Sequence, residues 1–267
     1  MKNTFKKLFV SFTVLSLTAC GSTTMQDNTF AAKENKDFTK YTNQLVVEYA
    51  ENDYTTMHQF FEHPENYGID VNKVDISLGE FYTDNTEEIK EDQKELNKFN
   101  RSTLDKTQQT IYDELKYENE LSLKAENKKF QYLNNCWSTM SGLHQSLISV
   151  FSEYILRNEQ DIKDLITLIN DVPRYTNDVL EYTKEQADKN TLQFDYDSVT
   201  QDIQDVINNK EDSSVVSALY SAIEALNLDA EKTTSYKTQV KEAMDTSFFP
   251  SYQAMLDTLT SLQSKVQ

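Results

Sequence analysis

Glycine and proline are scarce in this chain, and their scarcity constrains the fold more than any other feature of the sequence. The 267 residues include four glycines and three prolines. Strands joined by tight hairpins depend on glycine for backbone conformations with positive φ, whereas helices joined by short polar turns need few such residues. Glu, Lys, Leu and Gln, which favour helices, are abundant. The composition therefore predicts an all-α fold.

The spacing of apolar residues predicts an irregular multi-helix array of about eight to nine helices. Between Phe38 and Phe61 these residues recur with a period of about 3.6 that slips near Asp53, which predicts a long helix that can break there. Asp171-Val172-Pro173 predicts the start of another helix, because proline suits a first helical turn and aspartate can cap it. The other expected helices cover residues 86–99, 104–128, 143–156, 160–169, 198–208, 213–226, 229–246 and 248–265.

An aromatic and polar stretch, residues 129–142, interrupts the helical pattern and is called the irregular segment below. It contains Trp137, the only tryptophan of the chain, and Cys136. Functional residues are often carried by loops on a rigid scaffold. We therefore expect the irregular segment to hold the functional loop, with Cys136 as a small buried apolar side chain.

The first twenty residues have the pattern of a bacterial lipoprotein signal. Basic residues precede an apolar run over residues 8–17, and Leu17-Thr18-Ala19-Cys20 ends it. This run is too short to span a bilayer, which takes about 20 residues. We expect cleavage before Cys20 and acylation of its thiol, as by palmitate, which would anchor the protein to the outer face of the cytoplasmic membrane. The alternative is an ordinary secretory signal in which Cys20 is incidental.

The chain is expected to divide into three parts. Residues 1–19 form the signal peptide, and residues 20–36 form the acylated cysteine with a flexible polar tether. Residues 37–267 are long enough to bury one core as a single helical domain. If Cys20 is acylated, Cys136 is the one thiol left, so this domain depends on packing rather than on disulfides.

Charge and motifs exclude several classes of function. The formal net charge of −18 makes nucleic acid an unsuitable partner. The glycines are isolated, so no phosphate-binding loop or dinucleotide motif can be built. The histidines His58, His63 and His144 do not fit H-E-x-x-H spacing, and Asp195-Tyr196-Asp197 lacks the glycine and glutamate of a calcium loop. No catalytic residue, metal ligand or cofactor is predicted, although a Cys136–His144 pair remains an alternative.

Several short motifs occur in an order that resembles a known family. They are His63–Ile69, Leu78-Gly79, Gln108-Gln109, Tyr112-Asp113, Ser141-Gly142, Gln145, Glu153-Tyr154, 161–168, Asp171–Tyr175 and Pro250-Ser251-Tyr252. Together these motifs resemble the family called domain of unknown function 885, over about residues 38–262. Many members look like helical zinc metallopeptidases, often exported as lipoproteins in Gram-positive bacteria. Their H-E-x-x-H helix lies in the second half of a chain about twice this long, and this sequence has no such motif.

The resemblance implies a cleft rather than a catalytic centre. Ser141-Gly142 and Pro173-Arg174-Tyr175 would belong to one wall of a substrate cleft, with Trp137 and His144 beside them. The family's metal ligands have no counterpart here, so none is assigned. These seven residues are the candidate cleft wall.

The sequence thus favours a lipid-anchored extracytoplasmic protein that resembles the N-terminal half of a metallopeptidase-like fold and is inactive alone. It would act through a separately encoded C-terminal half that supplies the zinc helix, or by binding peptide or protein. The alternative is a helical lipoprotein that binds a solute or the cell wall and is unrelated to proteolysis. A weaker third reading is a metal enzyme that uses carboxylates and His144.

Overall fold

The computed structural model describes residues 33–81 and 84–267. Throughout these residues the regular structure is helical, without a β-strand, which confirms the predicted all-α fold with an irregular arrangement of helices. Over the same ranges, no helix combines the length and apolar character that a membrane span requires. The predicted signal peptide, the acylated Cys20 and most of the tether lie outside the described residues.

Most of the helices are joined by short turns, whereas longer stretches without an α-helix precede α3 and α5. Their bounds are α1 (Lys36–Asn52), α2 (Tyr54–Phe60), α3 (Thr86–Leu96), α4 (Lys106–Ala125), α5 (Leu143–Ser152), α6 (Glu159–Asp188), α7 (Tyr196–Asn208), α8 (Ser214–Ala225), α9 (Ala230–Ala243) and α10 (Phe249–Ser261). Between α9 and α10 the chain forms a π-helical turn, Met244–Phe248. The break near Asp53 is confirmed, because the Asp53 side chain accepts a hydrogen bond from the backbone N–H of Thr56 and caps α2.

The described residues form two compact units. Residues 33–52, 65–69 and 84–131 make up the first unit, and residues 53–64, 70–81 and 132–267 make up the second. In the first unit, α1, α3 and α4 surround a core of Phe38, Leu96, Leu104, Tyr112 and Leu115. The first turn of α4 is fixed by a capping box between Asp105 and Gln108.

The long helix α6 organises the second unit. A capping box between Asn158 and Asp161 starts it. Its buried side chains follow helical spacing, and they include Ile162, Leu165, Leu168, Ile169, Val172, Thr176, Val179, Leu180, Thr183 and Ala187. The π-helical turn, α9 and α10 pack on α6, while α10 also packs on α7 and α5 packs on α8.

The predicted helix start at Asp171-Val172-Pro173 is wrong, because α6 runs through this point without a break. An internal proline removes one backbone hydrogen bond, here to the carbonyl of Ile169, at a cost of about 3 kcal/mol. Pro173 lies on the exposed side of α6, whereas Ile169 and Val172 are fully buried. Burying two such side chains contributes about 1.5–3 kcal/mol each, so the packing of the opposite face outweighs the proline.

Candidate functional site

A cavity of about 340 Å³ lies in the second unit and is called the first cavity. Its apolar lining residues are Leu78, Phe81, Leu143, Leu147, Val150 and Val179. Its polar lining residues are Thr55, Asn134, Asn135, Ser141, Ser146 and Tyr175, and Cys136 lines it as well. These residues come from α2, the 77–81 stretch, the irregular segment, α5 and α6. No charged side chain is among the described residues that line this cavity.

The irregular segment is held in place by polar side chains of α6. The Gln186 Nε2 group donates hydrogen bonds to the backbone carbonyls of Tyr132 and Asn134, each at 2.9 Å. The indole N–H of Trp137, a residue only 1% exposed, donates to the Thr183 hydroxyl at 2.9 Å. These contacts replace the hydrogen bonds that a helix would provide, and they fix a non-helical backbone beside the first cavity.

Sequence reasoning did not single out Thr183 and Gln186. Both are buried, and both lie on the largely apolar buried face of α6. Polar groups on a buried face need partners, which means that their neighbours must supply hydrogen-bonding groups. A search of the apolar stripe for such interruptions would have identified them.

Gly142 and His144 are buried and closely packed. A Cβ atom at Gly142 would lie 2.5 Å from the backbone oxygen of Ser138 and 2.9 Å from His144 Cε1. His144 is 1% exposed and stacks near the Trp137 ring, with 6.4 Å between centroids. Neither ring nitrogen has a hydrogen-bond partner, and Nε2 lies 3.6 Å from an oxygen of Asp202. Burial lowers the pKa of His144 despite the opposing effect of Asp202, so the imidazole is neutral.

Arg174 does not line the first cavity, but it holds the 77–81 stretch that does. Its guanidinium contacts both carboxylate oxygens of Asp171, at 2.6 and 2.7 Å, and donates to the carbonyl of Gly79 at 2.8 Å. Asp171 in turn accepts a hydrogen bond from the backbone N–H of Leu78 at 2.8 Å. This network attaches the stretch that carries Leu78 and Phe81 to α6.

The structure places the candidate cleft wall in several environments. Ser141 and Tyr175 line the first cavity, where Tyr175 contacts Phe81 edge-on at 6.3 Å between centroids. Trp137 is buried, and Gly142 and His144 are packed behind the irregular segment. Pro173 and Arg174 lie on the exposed side of α6. Whether the seven residues act together as a substrate wall stays a prediction.

The residues considered for a zinc site and for a calcium loop have structural contacts in the fold. His58 is stacked on Tyr154 with 4.5 Å between centroids, and its Nε2 hydrogen-bonds the carbonyl of Ile155 at 2.7 Å. Asp195 caps α7 by accepting from the backbone N–H of Ser198. Within residues 33–81 and 84–267, no group of three or more His, Cys, Asp or Glu side chains has the geometry to hold a metal ion.

The buried imidazole predicts a pH-dependent stability. Because the folded-state pKa of His144 is lowered, the unfolded chain binds its proton more readily. The stabilising contribution is complete above the unfolded pKa of about 6.5 and is lost as the pH falls towards the folded pKa. Urea unfolding at a series of pH values, followed by Trp137 fluorescence, should show a steeper acid loss in the native chain than in His144→Leu. Equal pH slopes in the two proteins would contradict this assignment.

Removing the Arg174 network should loosen the 77–81 stretch without unfolding α6. Arg174 is partly exposed, so we expect Arg174→Ala to lower the free energy of unfolding by only about 1 kcal/mol. The backbone N–H of Leu78 should exchange with deuterium about tenfold faster, because without Arg174 its hydrogen bond to Asp171 opens more often. Lys184→Ala, which removes another i,i+3 pair of α6, is the control and should leave that exchange unchanged.

Comparison with known proteins places this arrangement in a family. A family model described as "Bacterial protein of unknown function (DUF885)" matches residues 68–267, about three quarters of the chain. This region contains the second unit from residue 70 onwards, including the irregular segment and α6. No curated protein and no solved structure matches the chain. The predicted family is thus confirmed, and the chain belongs to the bacterial family of unknown function DUF885.

Proposed function

We propose that this protein is a lipid-anchored extracytoplasmic binding protein that takes an uncharged segment of a peptide or protein into the first cavity. The observation that carries the proposal is the lining of this cavity, which combines buried apolar side chains with carboxamides and hydroxyls and has no charged group among the described residues. A volume of about 340 Å³ suits a short segment rather than a folded surface.

A peptide matches both the apolar and the polar lining of the cavity. Leu143 and Leu147 are buried and offer an environment for an apolar side chain. Asn134 and Asn135 are exposed, and a carboxamide can both donate to and accept from a peptide group. A charged side chain would lose its hydration without gaining a partner, so the cavity should select against it.

We assign binding rather than hydrolysis to this site. Burial raises the pKa of the Cys136 thiol to about 12, which keeps it protonated and poorly nucleophilic at neutral pH. His144 is buried with both ring nitrogens unpaired, whereas an activating base requires a hydrogen bond to the nucleophile.

Peptide binding can be tested with Trp137 as the reporter, because it is the only tryptophan and adjoins Cys136. The probe is a capped pentapeptide of Ser and Gly with a central Leu, and the comparison peptide carries Asp at that position. We expect a saturable change in fluorescence with the Leu peptide and at least tenfold weaker binding of the Asp peptide.

Ser146→Phe should block the cavity, since Ser146 is an exposed lining residue. Ser152→Phe places the same ring elsewhere on α5 and should leave binding unchanged. Equal affinity for the two peptides, or unchanged binding in Ser146→Phe, would refute the proposal.

The location is a separate part of the proposal and is supported by the Leu17-Thr18-Ala19-Cys20 pattern. In a bacterial host, the native chain should incorporate labelled palmitate and sediment with membranes. Cys20→Ser should lose both properties, while Cys136→Ser, at the other cysteine, should keep them. A Cys20→Ser protein that still incorporates label would overturn the anchor.

A further inference from the structure

A second cavity, of about 420 Å³, lies in the second unit and is also lined by residues of the irregular segment. Five carboxamide side chains line it, which are Asn134, Asn135, Gln186, Gln193 and Gln267. The hydroxyl of Thr191 and the rings of Trp137 and Phe194 also face it. Its lining is therefore richer in uncharged hydrogen-bonding groups than that of the first cavity.

Gln186 supports the lining of this cavity from behind. Its two N–H groups are directed to backbone carbonyls, and this requirement fixes which atom is nitrogen and which is oxygen. The remaining atom, Oε1, is buried without a hydrogen-bond partner, in a side chain only 3% exposed, and a ligand in the cavity does not reach it. The carboxamides open to a ligand are those of the exposed residues Asn134, Asn135 and Gln193.

The remaining groups define the chemistry of the ligand. Carboxamides both donate and accept, which matches a molecule with many hydroxyls. Phe194 is partly exposed and offers an apolar ring edge or face, which suits the C–H surface of a sugar ring. Among the described residues that line this cavity, Asp195 has the one charged side chain, and its carboxylate accepts from the backbone N–H and the hydroxyl of Ser198. A carboxylate at this position repels anions.

We propose that the second cavity binds a neutral saccharide, whose hydroxyls the exposed carboxamides recognise and whose C–H surface packs against Phe194. This site goes beyond the proposed peptide binding and does not depend on it. Of the described residues, Asn134 and Asn135 line both cavities and the others line one of them, so each cavity has residues through which it can be disabled separately.

The test is titration of the full chain with neutral trisaccharides, namely maltotriose, cellotriose and tri-N-acetylchitotriose, together with the acidic trigalacturonate. Calorimetry and Trp137 fluorescence are the readouts. We expect saturable binding of at least one neutral trisaccharide and none of the acidic one. Absence of binding by all three neutral sugars at 10 mM, on the order of a weak single-site affinity, would overturn the proposal.

Matched variants locate the binding. Gln193→Ala removes an exposed lining carboxamide and should weaken binding about threefold to tenfold, the effect of one net hydrogen bond. Gln201→Ala, an exposed glutamine of α7 outside both cavities, should leave it unchanged. Gln186→Leu should abolish binding, and unfolding curves establish whether the chain is folded. Unchanged affinity in Gln193→Ala would place the sugar elsewhere and refute the site.

The same variants separate this proposal from the peptide site. Ser146→Phe should abolish peptide binding and leave saccharide binding intact, while Gln193→Ala should do the reverse. Loss of both activities in either variant would contradict two independent sites.

Discussion

Phe248→Ala is expected to lower the free energy of unfolding of the second unit by about 3–5 kcal/mol, the usual cost of truncating a fully buried phenylalanine. Phe248 is 0% exposed and lies in the π-helical turn. Its ring contacts Phe151 and Phe249 edge-on and lies 4.8 Å from Tyr252 between centroids. Losing the ring therefore removes contacts with α5 and α10 at once and leaves a cavity that rigid helices cannot close.

Urea unfolding followed by Trp137 fluorescence measures this loss, because the reporter lies in the same unit. Phe60→Ala is the matched control, since it shortens the same side chain at a position that is 41% exposed. It should cost less than half as much, because less apolar surface is returned to water. A loss of under about 1.5 kcal/mol in Phe248→Ala would mean that the aromatic cluster can collapse around the gap.

Gly142→Ala should lower the free energy of unfolding by about 1–3 kcal/mol, although it adds a single methyl group. The backbone at Gly142 is ordinary, with φ −69° and ψ 168°, so the added group meets a lack of space rather than a strained conformation. The nearest atoms are the backbone nitrogen and oxygen of Ser138, which cannot rotate away. Replacing glycine also stiffens the unfolded chain, which favours folding by about 0.4–1 kcal/mol, and the clash should exceed this gain.

The Gly142 substitution should also weaken ligand binding. Its neighbours Ser141 and Leu143 line the first cavity, and they must move when the Gly142–Ser138 contact widens. Ser141→Ala changes an exposed neighbour and should leave stability within about 0.5 kcal/mol of the native value. Unfolding curves for both variants provide the comparison, and equal stabilities would show that the Ser138 turn adapts to the methyl group.

The helices could largely be predicted from local sequence. Scarce glycine and proline, the apolar period and the polar residue at Asp53 indicate the helices and one break between them. The prediction of a helix start at Pro173 failed because it used only the local preference of proline for a first helical turn. It did not take into account the buried stripe on the opposite face of α6. The stripe extends along most of α6, which is 30 residues long, and its packing on α9, α10 and the π-helical turn is a property of the folded chain.

Less of the candidate site than of the helices could be predicted from the sequence. The irregular segment was correctly separated from the helices, and Ser141 and Tyr175 line the first cavity. Leu78 is far in sequence from α6. The hydrogen bonds of Arg174 and Asp171 attach its stretch to α6 beside the first cavity, and this contact could not be predicted from the sequence. Cavity linings of this kind depend on long-range contacts, which the period of a single helix does not encode.

The π-helical turn determines the phase of the helix that follows it. Val240, Met244, Phe248 and Tyr252 recur every four residues, and all are 0% exposed. In an uninterrupted α-helix with about 3.6 residues per turn, such a series would wind steadily around the axis and reach solvent. The wider turn over Met244–Phe248 absorbs the surplus residue and keeps the series on one side. Deleting one residue of this turn would therefore restore an ordinary α-helical turn without changing the phase of α10, because 11 steps of about 100° make about three full turns and return Tyr252 to the side of Val240.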